Sequence, residues 1–350
     1  MDQNGKIGYA VLGLGVGGAH LDAAEQNQYC HVEAVCDLRQ DRLDHAKEKY
    51  PDLTTYTDVD EMLRDPAIDI VSVCLPSAMH ADYAIRCMEA GKHVLCEKPV
   101  DITPEAAQRI IEAKNRLGRK CGVIHQNRFN VDMKPIKEAI DSGRMGKLFL
   151  GTFEVKWYRT QNYYEENGGW RGTWGMDGGG SLMNQSVHTV DLMQWLMGKP
   201  VSVTSKWGIF DHTIETEDTT ASLLTFENGA MATFVTSTCT YPGLCTAIKL
   251  YGTGGSVEAD GDRLTHWIFK DAEEGEEEKM LRKYGHGNGG SFAKNAGLVT
   301  GHAYQVNDII DAVRLDRDPV IQPEDAITAV KIINAVYESA RTGRTVDIRY

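Results

Sequence analysis

A chain of 350 residues is too long for one small core and suits two domains, and 42% hydrophobic residues with a formal charge of −13 describe an ordinary globular protein. The acidic balance argues against nucleic acid as a partner, because affinity for a phosphate backbone rests on lysine and arginine. No run approaches the ~20 apolar residues of a membrane span, and the opening MDQNGKIGYAVLGLG lacks a secretion signal, so the chain reads as untargeted, cytoplasmic and free of the membrane.

In chain order, KIGYAVLGLG reads as a strand and GGAHLDAAEQN as the start of a helix. VEAVCDL is a strand and QDRLDHAKEKY a helix; TYTDVDEMLRDP holds a short strand and helix. IDIVSVCLP is a continuous apolar strand before the helix HADYAIRCMEAG. HVLCEKP precedes the helix TPEAAQRIIEAKNRLG, with Thr103 as cap and Pro104 at its first position, and KCGVIHQNRF closes the set. Continuous apolar strands alternating with helices predict an α/β domain over residues 1–125, with a parallel sheet covered on both faces.

Beyond residue 125 strand-like runs follow one another: GKLFLGTFEVKWY, PVSVTSKWGIF, DTTASLLTFENGAMATFVTST, TAIKLYGTGGSVEAD and RLTHWIFK. They predict an α+β domain over 126–350 with an open, mostly antiparallel sheet. Two helices finish the chain, GHAYQVNDIIDAVRLD and PEDAITAVKIINAVYESARTG, the second capped by Gly343. The acidic run DAEEGEEEK, 271–279, is expected to be a solvated loop, and the glycine-rich 284–297 a mobile loop. The cysteines at 30, 36, 74, 87, 96, 121, 239 and 245 form no C-x-x-C pair and read as reduced, mostly buried thiols.

GLGVGG places Gly13, Gly15 and Gly18 after a strand and before a helix, with Val16 between them. Glycines permit a tight turn, close approach of a pyrophosphate and close helix–strand packing, and the helix start offers its positive end to phosphates. The second strand ends in Asp37, whose carboxylate suits ribose hydroxyls and repels a 2′-phosphate, so NAD is expected. Arg39, past Leu38, is placed to receive such a phosphate, so NADP stays open. Leu75, Pro76, Ser77 and His80 follow the next parallel strand, and Glu97 and Lys98 the one after, all on the ligand side of such sheets. Gln126 and Arg128 hold the same position after the last strand.

The stretch DGGGSLMNQSVHTVDLMQWLMG looks helical, and steps of +4, +7 and +11 from Asn184 give His188, Asp191 and Trp195 on one face. Three polar groups thus share a face with apolar neighbours. The spacing of Asn184, His188 and Asp191 allows a metal, but asparagine is a poor ligand and no metal is expected. Upstream, KWYRTQNYYEENGGWRGTWG alternates aromatic residues with arginine, which suits a sugar ring or a subunit interface. Tyr158, Trp170 and Arg171 are its candidate substrate contacts, with His302, which opens a later helix, beside them.

The ordered set of the glycine loop, Asp37, LPSAMHADYAIRCMEAGKHVLCEKP, GGGSLMNQSVHTVDLMQWLMG and ARTGRTVDI resembles the Gfo/Idh/MocA family of oxidoreductases over nearly the whole chain. The resemblance implies a Rossmann domain, an open-sheet second domain, and a homodimer or homotetramer. It also implies hydride transfer between NAD(P) and a secondary ring hydroxyl or ketone of a sugar, sugar derivative or cyclitol. It assigns the chemistry to Lys98 and His188: an imidazole to take the hydroxyl proton, an ammonium to steady the charge left on oxygen. Inositol dehydrogenases of the family carry aspartate where this chain has Asn184. An amide binds a hydroxyl but takes no proton, and NQSVH looks more like members acting on nucleotide sugars or glycosides, with carbon 3 as the expected position. Two other readings stay open at this point. One is a glycosidase that uses bound NAD in a transient oxidation; the other is a non-catalytic NAD-binding sensor.

Overall fold

In the computed structural model, described here for residues 5–285 and 301–350, the chain forms two units, Met1–Gln126 with Val299–Ile327, and Asn127–Leu298 with Thr328–Tyr350. The first holds β1 (Ile7–Leu12), β2 (Cys30–Cys36), β3 (Thr54–Tyr56), β4 (Ile70–Val73), β5 (His93–Cys96) and β6 (Cys121–Val123) in a parallel sheet ordered β3-β2-β1-β4-β5-β6. Strand order reverses between β1 and β4, the crevice where such sheets bind ligands. β1 and β4 are buried along their whole length, as their unbroken apolar runs require.

One assignment is corrected. The helix Gly301–Arg314, expected within the second domain, belongs to the first unit. Its Val306, Ile309 and Ile310 enter the core with Tyr9, Val11 and Ile124. Gln305 completes the edge of β6, accepting from the His125 amide at 2.8 Å and donating to the Val123 carbonyl at 2.8 Å.

The second unit holds β7 (Leu148–Lys156), β8 (Pro200–Gly208), β9 (Thr219–Phe226), β10 (Met231–Ser237), β11 (Cys245–Gly252), β12 (Gly255–Asp260), β13 (Arg263–Phe269) and β14 (Val346–Asp347). They form one sheet, β13-β12-β11-β7-β10-β9-β8-β14, antiparallel except for the β7–β10 pair. Phe153, Phe234 and Leu224 from one face pack under Val187, Val190, Ile333 and Val336 from helices Ser186–Met197 and Pro323–Thr342.

The acidic run at 271–279 is not wholly a loop. Glu276 opens the helix Glu276–Tyr284, takes both guanidinium nitrogens of Arg144 at 2.5 and 2.7 Å, and accepts from Trp267 Nε1 at 2.8 Å. Arg144 and that indole donor hold its carboxyl down at about 2, outweighing slight burial. Pairing with a residue 132 positions away is invisible to local charge pattern. The glycine-rich stretch read at 284–297 lies outside the described residues from 286 onward. All eight cysteines are free thiols, six of them buried. No described helix is long and apolar enough to cross a membrane.

Candidate active site

The glycine loop follows β1. Gly13 sits at φ +91°, and a Cβ there would lie 2.5 Å from the Cys74 carbonyl oxygen. Around Gly15 and Gly18 a Cβ meets open space, the room a pyrophosphate needs. The close helix–strand packing expected of Gly18 is supplied instead by Gly17, whose Cβ would be 2.6 Å from Val11 Cγ1. Helix Gly17–Glu25 has no side-chain cap at its N-terminus, so its first amides remain available to an anion.

Asp37 directly follows β2 and is tied to this loop. Its Oδ2 accepts from the Leu14 amide at 2.7 Å and from Arg42 at 3.2 Å, and its Oδ1 from the Arg39 amide at 2.9 Å. Arg42, four residues beyond Leu38, is a partner the sequence reading did not name. The Arg39 guanidinium pairs with exposed Asp41, and Leu38 is exposed.

Beyond β4, Leu75 and Pro76 lead to buried Ser77 and His80. His80 Nε2 lies 2.8 Å from the Leu75 carbonyl and Nδ1 2.6 Å from that of Pro99, so the ring pins the β4 and β5 loops together. Glu97, read from sequence as a cofactor contact, has both oxygens engaged within the protein. Oε1 lies 2.9 Å from His20 Nε2 and 3.2 Å from His302 Nε2, and Oε2 accepts from the Lys98 amide at 3.1 Å. Burial alone raises its pKa, but the hydrogen bonds from His20 and His302 outweigh it and hold the carboxyl well below its usual range. Behind it His20 Nδ1 meets Ser72 Oγ at 2.9 Å, itself 2.5 Å from Tyr9 Oη. Glu97 thus fixes the main chain at Lys98. His20, Ser72 and Tyr9 escaped the sequence reading; a polar ring two places past Gly18, on the inner side of the first helix, was the available signal.

In the second unit the stretch from 181 is not one regular helix. Ser181–Gln185 is a π turn that leads into the α-helix Ser186–Met197. The +4 step from Asn184 to His188 therefore crosses a change of helix type, and the single α-helical face drawn through both does not hold. Asn184 donates to Asp177 Oδ1 at 2.5 Å and accepts from Gln185 Nε2 at 2.6 Å. Asp177 also takes the Gly172 amide at 2.8 Å. Gln185 donates to Tyr163 Oη at 2.7 Å and accepts from Arg159 at 2.7 Å. Asp177 and Gln185 lie inside the stretch read from sequence but were given no role there, since their partners are set by tertiary contacts.

His188 is buried in the first turn of the α-helix. Asp191, placed by spacing near it, instead forms a two-pronged ion pair with Arg128, at 2.7 and 2.5 Å. That pair commits the Arg128 guanidinium, expected at the substrate, to a carboxylate in its own unit. Arg128 also covers the Trp195 ring at 5.7 Å. Arg171 is half-buried, 4.3 Å from the Tyr163 ring and 5.4 Å from that of Trp170, and donates to the Tyr163 carbonyl. Among the described residues it has no carboxylate partner. Tyr158 packs edge-on against Tyr241.

Among the described residues two clusters bring metal-type donors within 4.8 Å, His20/Glu97/His302 and His212/Asp218/Cys239. In the first, the donors are bonded to one another. In the second, Asp218 Oδ2 already takes the amides of Phe210, Asp211 and His212 at 2.9, 2.9 and 3.2 Å.

A parallel sheet whose reversal point carries an uncapped glycine-loop helix, with an acid just past the second strand, defines a dinucleotide-binding domain. The comparisons sharpen this. Residues 7–125 match the oxidoreductase family's NAD-binding Rossmann fold, and residues 133–258 match the GFO/IDH/MocA C-terminal domain. The chain belongs to the Gfo/Idh/MocA family and is an NAD-dependent oxidoreductase. It is 28% identical to the WlbA dehydrogenase of Bordetella pertussis, solved in complex with NADH and UDP-GlcNAcA, with all of both chains covered and a TM-score of 0.90. It is 28% identical to the myo-inositol 2-dehydrogenase of Thermotoga maritima, over 75% of this chain and 77% of that one. Identity to the D-glucoside 3-dehydrogenase of Escherichia coli is 29%, over 55% and 54% of the two chains.

Proposed function

We propose that the protein oxidises one secondary ring hydroxyl of a pyranose derivative bearing an anionic group, with carbon 3 as the expected position. The network Arg159–Gln185–Asn184–Asp177 carries this reading. It sets amide and carboxylate groups in alternating donor and acceptor roles, as a polyhydroxylated ring needs. Arg171, stacked on Tyr163 without an acid partner among the described residues, supplies the cation for a carboxylate or phosphate. The likeness to a protein solved with UDP-GlcNAcA and to a D-glucoside 3-dehydrogenase supports both parts.

Bound NAD supplies the hydride acceptor. His188 takes the hydroxyl proton; Asn184, oriented by Asp177, bonds a ring hydroxyl; the Lys98 ammonium steadies the negative charge on oxygen. Tyr158 and Trp170 cover the apolar face of the ring. The carboxylate of Asp37 favours NAD over NADP. The solvent face of the second sheet, with Leu223 and Met231 exposed, is the surface for a homodimer or homotetramer. Eight free thiols fit a reducing cytoplasm.

The test follows absorbance at 340 nm with NAD and UDP-sugars, uronic acids, glycosides and inositols, for wild type, His188→Ala and Lys98→Ala. NADH formed with an anionic pyranose, and lost at least a hundredfold in both variants with NAD still bound, is the expected result. A fully active Lys98→Ala enzyme overturns the mechanism. Glycoside cleavage without net NADH overturns the reaction.

A further inference from the structure

The π turn before His188 has an unusual cap. A helix start leaves four amides without partners inside the helix, ordinarily met by a Ser, Thr, Asp or Asn beside them. Here the neighbour is Gly180, and no local side chain caps the turn. The acceptors come from far along the chain. Glu217 Oε2 takes the Gly180 amide at 2.9 Å, its carbonyl oxygen takes Ser181 at 3.0 Å, and its Oε1 takes Leu182 at 2.7 Å. Tyr337 Oη takes the Met183 amide at 3.2 Å and donates to Glu217 Oε1 at 3.1 Å. All four amides are therefore met by two residues, up to 37 and 154 positions from those they serve.

This close approach also accounts for the glycine run. A Cβ on Gly180 would stand 2.0 Å from the Glu217 carbonyl oxygen, and one on Gly179 would stand 1.9 Å from Tyr337 Oη. Glu217 is fully buried, and among the described residues no cation pairs with it: burial raises its pKa, and the hydrogen bonds from the Leu182 and Gly180 amides at the positive end of the helix oppose that rise.

We propose that Glu217 and Tyr337 are positioning residues for the reaction. They set the register of the π turn, and with it the direction in which Asn184 and His188 leave the backbone. The proposal rests on the reading of His188 as the proton acceptor. A one-residue slip to a plain α-turn would rotate Asn184 by roughly 100° relative to His188. A cap with one fixed geometry prevents that slip, which a flexible serine cap would not.

The test uses the full-length protein with 13C-labelled histidine and asparagine, resonances being assigned with His188→Ala and Asn184→Ala. In Glu217→Gln an amide N–H faces the amides the carboxylate now meets. The His188 ring and Asn184 amide resonances should both move, and kcat for NADH formation should fall about tenfold with NAD affinity unchanged. Should Glu217→Gln not fold, Tyr337→Phe keeps the ring and the carboxylate and moves the same resonances. Ile333→Val, which loosens the same core, leaves them in place. Unmoved resonances in both cap variants overturn the proposal. Moved resonances together with an active His188→Ala enzyme leave the cap standing and remove the catalytic reading of His188.

Discussion

Asp132 offers a sharp test of the energetics. It is 0% exposed, and neither carboxylate oxygen makes a well-formed hydrogen bond among the described residues, the amides of Asp132 and Met133 lying nearby in poor geometry. Burial is the main cause that drives its carboxyl up to about 7, with Asp262 adding to the rise and the amides of Asp132 and Met133 opposing it. The unfolded chain ionises near 3.8. The folded state therefore holds a proton that the unfolded state gives up, so the stability tied to that proton is full below pH ~4. It is lost progressively as pH rises toward 7. The whole loss is worth at most about 4 kcal/mol, at 1.36 kcal/mol per pH unit. Asp132→Asn removes the titration and keeps the shape. All six tryptophans (157, 170, 174, 195, 207 and 267) lie in the same unit as Asp132, so their fluorescence follows the unfolding of that unit alone. Urea unfolding of wild type and variant at pH 5, 6, 7 and 8 should show the variant's relative stability rising by about 1.4 kcal/mol per unit to pH 7 and then levelling. A difference that stays constant from pH 5 to 8 refutes the reasoning.

Two further outcomes follow. Asp37→Ser removes the charge that repels a 2′-phosphate, so the ratio of kcat/KM for NAD over NADP should fall at least tenfold; an unchanged ratio would show that Asp37 does not select the cofactor. Leu223→Glu together with Met231→Glu puts two charges on the open face of the second sheet, and light scattering after gel filtration should show the assembly falling to monomers, with the fold kept by circular dichroism.

What the sequence determined by itself was whatever is written in neighbours. The β1 run, the glycine loop, the helix and the acid at Asp37 are consecutive, and each rests on a local rule of period, turn or terminal charge. Thr103, which accepts from the Ala106 amide at 3.2 Å, and Gly343, at φ +69°, are caps of that same kind. The parallel first sheet and the open second one were legible for the same reason, since strands buried on both faces read differently from strands buried on one. Only the tertiary structure could decide what depends on distant partners. It returned the helix Gly301–Arg314 to the first unit, because Val306, Ile309 and Ile310 complete that core. Arg144 made a helix start of Glu276, and Asp191 went to Arg128. Above all, Gly179 and Gly180 before Ser181 show no role in the sequence until Glu217 and Tyr337 come into place against them. A cap supplied from 37 and 154 residues away leaves no periodicity and no motif where it acts, only the small residues that make room for it.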